Sequence, residues 1–221
     1  MDRKKQFDFW YAVNNTEIVV MPRKHLETFG ATILNYHMVA ELMDATHQVR
    51  VRVGKIHAFK PQIITPEAYS KTFLEGFGDE AHKYIDWLKQ NEKQHHILQY
   101  GYTLKNEAFS EHIISDNLTT VVERVKKDVA EKNDTFSAVL TGVDDLWDVS
   151  LIKLFLEVVT MSAPANVNEL ARYKYQEIEK AFQAARKDPT KIQQLGIILQ
   201  KHKLFSEYEE RFFALIKSLE K

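Results

Sequence analysis

Apolar and polar positions alternate most cleanly between residues 32 and 64. Leu34, Tyr36, Met38, Ala40 and Leu42 are apolar, with Asn35, His37, Val39 and Glu41 between them. A period of two over this length predicts a strand with one buried face. Gln48-Val49-Arg50-Val51-Arg52-Val53 alternates in the same way, and Ile56-His57-Ala58-Phe59 follows Gly54-Lys55. Gly at the first central position of a two-residue loop suits a type II′ turn, so the pattern predicts a hairpin with Gly54-Lys55 at its tip. Val53 would then pair with Ile56, Val51 with Ala58, Arg52 with His57 and Arg50 with Phe59.

Shorter patterns surround this one. Phe7–Val13 is aromatic-rich and reads as a strand or a docking segment. Glu17–Met21 reads as a strand ended by Pro22, and Arg23–Gly30 as one or two helical turns. Thr65-Pro66 opens a helix, Gly76-Phe77-Gly78 breaks it, and Asp79 caps another to about Gln90. Ile97–Leu104 alternates again, through Leu98, Tyr100, Tyr102 and Leu104. From residue 106 the period becomes helical: Leu118, Val121, Val122, Val125 and Val129 form a stripe, and Trp147, Leu151, Leu154, Phe155 and Val158 form another. Ser162-Ala163-Pro164-Ala165-Asn166 is the strongest boundary signal. Helices are expected beyond it, at about 167–186, 189–202 and 205–219.

The predicted fold is α+β: a small, mostly antiparallel sheet packed on one face against helices, with a helical C-terminal region. Residues 1–162 form the core domain and 163–221 a helical appendage. The expected core includes Leu34, Tyr36, Met38, Val49, Val51, Leu88, Leu98, Tyr102, Val122, Leu151, Phe155 and Phe182.

Composition narrows the function classes. Across 221 residues, Lys and Arg number 30 against 31 Asp and Glu, so no overall field favours nucleic acid or an anionic membrane. Residues 166–221 hold 11 basic against 8 acidic side chains and the remainder 19 against 23, which makes the tail mildly basic. There are no cysteines, which excludes disulfides, thiolate catalysis and Cys-ligated metal sites. No signal-type apolar stretch follows the charged first residues, and no apolar run is long enough for a membrane span; a cytoplasmic location and no membrane contact are expected.

Candidate chemistry is sparse. Asp79-Glu80-Ala81-His82 has the letters of a nucleotide-hydrolysis motif, but no G-x-x-x-x-G-K-[ST] accompanies it and acids are favoured at a helix start. Glu92-Lys93-Gln94-His95 is a single Glu-x-x-His spacing, where a di-iron bundle needs two. Asp144, Asp145 and Asp148 cluster at a helix start beside Trp147; they read first as caps, and as a metal-assisted or acid/base hydrolase site only if the fold brings a histidine to them.

The predicted hairpin carries the most information. His37, Arg50, Arg52 and His57 would share the sheet face away from the core. That face reads first as solvated, with Glu41 neutralising an arginine, and as a site it would hold a carboxylate or phosphate. Protonation of the histidines would strengthen anion binding as pH falls through about 6.5. The expected function is that of a non-enzymatic binding or regulatory protein working through protein–protein contacts, with an acidic or anionic partner on this face. A further partner protein, or self-association, is expected at the C-terminal helices. The alternatives are the Asp144/Asp145/Asp148 hydrolase and nucleic-acid binding through Arg50, Arg52, Lys55 and Lys60. No cofactor and no metal ligand is expected.

Overall fold

The structure is a computed structural model and describes residues 8–45, 47–59, 74–91 and 103–219. Six strands form one sheet: β1 (Glu17–Val20), β2 (Thr32–Glu41), β3 (Gln48–Ala58), β4 (Leu74–Glu75), β5 (Leu104–Ser115) and β6 (Ser137–Thr141). Their order across the sheet is β1-β6-β2-β3-β5-β4. The helices are α1 (Phe9–Asn14), α2 (Asp79–Asn91), α3 (Leu118–Lys132), α4 (Trp147–Lys187), α5 (Ile192–Lys201) and α6 (Phe205–Leu219). The class is α+β. The sheet is mixed rather than mostly antiparallel, because β6 runs parallel to β2 and β4 parallel to β5. The crossover through α3 is what returns β6 in the direction of β2.

Helices cover both sheet faces, where the sequence suggested one. On one face Leu34, Tyr36, Met38, Ala40, Ile56, Ala58, Ala138 and Leu140 pack with α1, with α2, and with Leu151, Phe155 and their neighbours on α4. On the other, Val39, Val49 and Val51 pack against Val121 and Val122 of α3. Val49 and Val51 are therefore buried as expected, but in a second, smaller core. Asn117 caps α3 by accepting a hydrogen bond from the Thr120 N–H, and Asn133 ends the helix in the left-handed region at φ 51°.

Several local expectations fail for physical reasons. Phe9–Asn14 is helical, capped by the Asp8 carboxylate, and its aromatic residues serve packing rather than strand pairing: Phe9 lies against Tyr84 and Trp10 against Trp87 of α2. Residues 23–30 are not helical. Residues 104–115 form β5 instead of leading into a helix, and β6 was not foreseen. The Thr65-Pro66 helix start, the strand residues Leu98, Tyr100 and Tyr102, the Glu92–His95 pair and Lys60 lie outside the described residues.

The chain divides into two compact units, Met1–Asn166 and Val167–Lys221. The expected break at 162–166 is not a break in secondary structure, because α4 continues through Pro164. Within the second unit, Ile178, Phe182, Ala185, Leu195, Leu199, Phe212 and Leu215 form a separate core. Arg211 pairs with Glu179 and lies 4.1 Å above the Phe182 ring. Among the described residues no helix is long and apolar enough to cross a membrane.

Candidate functional site

Strand β3 does not turn at Gly54-Lys55. It runs unbroken from Gln48 to Ala58, paired along its length with β2, and the chain reverses earlier, between Glu41 and Gln48. Gly54 serves a different purpose. A Cβ there would collide with the Tyr36 hydroxyl and stand 2.5 Å from the Glu107 carbonyl oxygen, so the missing side chain lets the Tyr36 ring lie across β3.

This corrects the expected grouping of His37, Arg50, Arg52 and His57. Arg50 stands opposite Ala40 and Arg52 opposite Met38, on the face covered by α4. His37 stands opposite Val53 and His57 opposite Ile33, on the α3 face. His57 Nε2 lies 3.0 Å from a Glu107 carboxylate oxygen. Burial, followed by the nearby Lys132 ammonium, pushes the His37 pKa below its ordinary value. That is opposite to the charging expected of it in an anion site. Lys55 also lies on the far face from the two arginines, its ammonium 4.6 Å from the Phe109 ring, so it does not join them.

What the structure brings together is an alternating square of charges. Arg52 Nη1 donates to Asp144 Oδ1 at 2.5 Å, and Arg50 Nη1 donates to Asp144 Oδ2 at 2.6 Å. Glu111 of β5, paired with Arg52 in the sheet, places Oε2 3.1 Å from Arg52 Nε and Oε1 3.0 Å from Arg50 Nε. Each carboxylate thus bridges both guanidinium groups. The Arg52 guanidinium also lies 5.2 Å from the Trp147 ring centre.

The square has a dry side and a wet side. Side-chain exposure is 7% for Asp144 and 9% for Arg52, but 22% for Arg50 and 51% for Glu111. Arg50 Nε is buried and makes no hydrogen bond among the described residues, despite its 3.0 Å approach to Glu111. Its N–H is not aimed along the contact, which leaves a charged donor poorly satisfied.

The neighbouring loops are fixed by polar contacts. The Tyr36 hydroxyl donates to Asn106 Oδ1 at 3.0 Å, and Asn106 Nδ2 donates to the Gly76 carbonyl at 3.2 Å. Gly76 holds φ at +77°, and a Cβ there would meet the Asn106 carbonyl oxygen at 2.6 Å. Burial raises the Tyr36 pKa to about 12, so its proton stays on the oxygen at neutral pH.

The three aspartates serve separate ends. Asp144 faces the arginines, Asp145 is exposed, and Asp148 accepts the Gly78 N–H at 2.7 Å, tying that loop to the start of α4. Among the described residues, no group of three His, Asp or Glu side chains is arranged to hold a metal ion. The square sets two guanidinium groups side by side between two carboxylates of this chain.

Sequence reasoning found both arginines and Asp144 but neither joined them nor found Glu111 and Trp147 as their partners. Strict Val-Arg alternation was the available signal: guanidinium groups on a strand whose other positions are buried need a carboxylate close by. Comparison with known proteins gives no match: no family model, curated protein or solved structure is significantly similar to this chain.

Proposed function

We propose that this chain is a non-enzymatic binding protein that recognises an acidic segment of a partner protein through Arg50 and Arg52. The observation that carries this reading is the Asp144 carboxylate, which holds two guanidinium groups side by side from the buried side, while the opposite side is covered only by Glu111, whose side chain is 51% exposed. Pre-positioned arginine forks match a carboxylate in geometry and in charge, and lose little freedom on binding it.

Titration of the full chain with an N-acetylated hexaglutamate peptide, followed by calorimetry, tests the proposal. Binding is expected at low salt and should weaken as salt is added, because the Glu111 side is solvated. Arg50→Gln should weaken it by roughly tenfold or more, the scale of one charge-assisted hydrogen bond. Because His37 and His57 lie on the other face, affinity should stay nearly constant from pH 8 to about pH 5.5, while the peptide remains ionised. No binding at low salt, or binding insensitive to Arg50→Gln, refutes the reading.

A further inference from the structure

We infer that Glu111 is a tethered stand-in for the partner's carboxylate, so that the site binds by exchange: the incoming carboxylate takes the place of Glu111 between Arg50 and Arg52. This rests on the proposed recognition of an acidic segment and assigns the position the ligand takes.

Three observations support the exchange. The first is geometric. Glu111 touches Nε of both arginines through its two oxygens, as a bidentate ligand carboxylate does, whereas Asp144 takes the Nη1 atoms from behind. Removing Glu111 from the front leaves Asp144 in place to hold the pair apart and oriented.

The second is that the tethered fit is imperfect. Among the described residues Arg50 Nε remains without a hydrogen bond although Glu111 Oε1 is 3.0 Å away. Glu111 aligns with Arg52 Nε but not with Arg50 Nε, and a carboxylate that is not fixed to the strand is free to align with both. The incoming group therefore gains a charge-assisted hydrogen bond that Glu111 does not make.

The third is access. Glu111 is half exposed, and it sits two residues beyond the bulge at Phe109, where the register between β3 and β5 shifts. Beyond Lys105, no described strand pairs with the outer edge of β5. Ile113, cross-strand to Arg50 and 54% exposed, offers an apolar contact beside the carboxylate position. The chemistry selects an acidic side chain with an apolar neighbour.

Chemical rescue tests the exchange without the natural partner. Thermal unfolding of Glu111→Ala is followed by tryptophan fluorescence in sodium acetate and, at equal ionic strength, in sodium chloride at pH 7. Acetate should raise the midpoint of Glu111→Ala by about 1–3 °C over chloride, since a small carboxylate fills the vacated place, and should leave the wild type unchanged. Arg50→Gln added to Glu111→Ala should abolish the difference. In parallel, Glu111→Ala should bind hexaglutamate about five- to tenfold more tightly than the wild type, because the competing ion pair is gone. If Glu111→Ala does not fold, Glu111→Gln keeps the side-chain volume and serves for the peptide comparison. Wild-type binding of the peptide with no gain in the variant and no acetate effect overturns the exchange while leaving Arg-pair recognition intact. An acetate effect with no peptide binding by either protein overturns partner recognition and shows a site for small carboxylates only. Absence of all three effects removes both.

Discussion

Asp144→Asn tests whether the square is built with a dry back and a wet front. The substitution keeps the side-chain shape and removes the charge. It also replaces one of two acceptors with an N–H donor facing a guanidinium N–H, where Asp144 now accepts at 2.5 and 2.6 Å. Arg52 and Asp144 are both less than one-tenth exposed, so the guanidinium cannot turn to water. Removing one partner of a buried pair costs about 3–5 kcal/mol, mostly through the charge left behind. For a unit of this size that lowers the midpoint of unfolding by roughly 6–20 °C. Glu111→Gln removes the same charge from the exposed side and should cost at most about 1 kcal/mol. All three tryptophans, Trp10, Trp87 and Trp147, lie in the Met1–Asn166 unit, so their fluorescence reports this unit alone. Trp147 lies 5.2 Å from Arg52 and reads the square directly. Equal losses for the two variants, or an Asp144→Asn midpoint within a degree or two of wild type, would refute the asymmetry.

Other perturbations probe the surrounding scaffold. Gly54→Ala forces a methyl group onto the Tyr36 hydroxyl and the Glu107 carbonyl and should cost about 1–3 kcal/mol, seen as a lower urea midpoint by tryptophan fluorescence. Tyr36 titrates at about 12 when folded and about 10 when unfolded, so its contribution is complete below pH 10 and is lost as pH rises through 12; phenolate absorbance should show a late-titrating group that Tyr36→Phe removes. In the second unit, the hydrogen bond from His202, with Lys201, holds the Glu177 carboxyl below the usual carboxylate range. Stability from that carboxyl is present above about pH 4.3 and lost as pH falls through its lowered value, so Glu177→Gln should flatten the acid limb of a circular dichroism titration. Pro164 is exposed inside α4, where proline is costly relative to alanine, and Pro164→Ala should raise thermal stability.

Legibility in the sequence followed burial. Strand β2 was readable because Leu34, Tyr36 and Met38 are buried while the polar Asn35 and His37 between them are only partly so, and α3 because its valines form one stripe over a charged face. Strand β5 carries no such signal: Glu107, Ala108, Phe109, Glu111, His112 and Ile113 are all exposed, and the bulge at Phe109 breaks what alternation remains. Strand β6 fails in the opposite way. Its first four residues are all buried between covered faces, so Ser137–Leu140 has no polar side to set the period.

The site was half legible for a reason that lies in parity. A two-residue turn at Gly54-Lys55 folds Arg52 against His57 and puts both on one face. A continuous strand puts residues 52 and 57, five apart, on opposite faces. One turn assignment therefore decided whether the arginines kept company with histidines or with carboxylates. Glycine has two meanings inside a strand pattern: a turn, or another group passing close to the backbone. The buried tyrosine two residues into the apolar pattern of β2 needed somewhere to put its ring, and Gly54 is directly opposite it. With that pairing in place the strand continues through Gly54 and both arginines turn inward on the face covered by α4. Two cations so placed require anions: Asp144 comes from the loop after β6, and Glu111 from the adjacent strand.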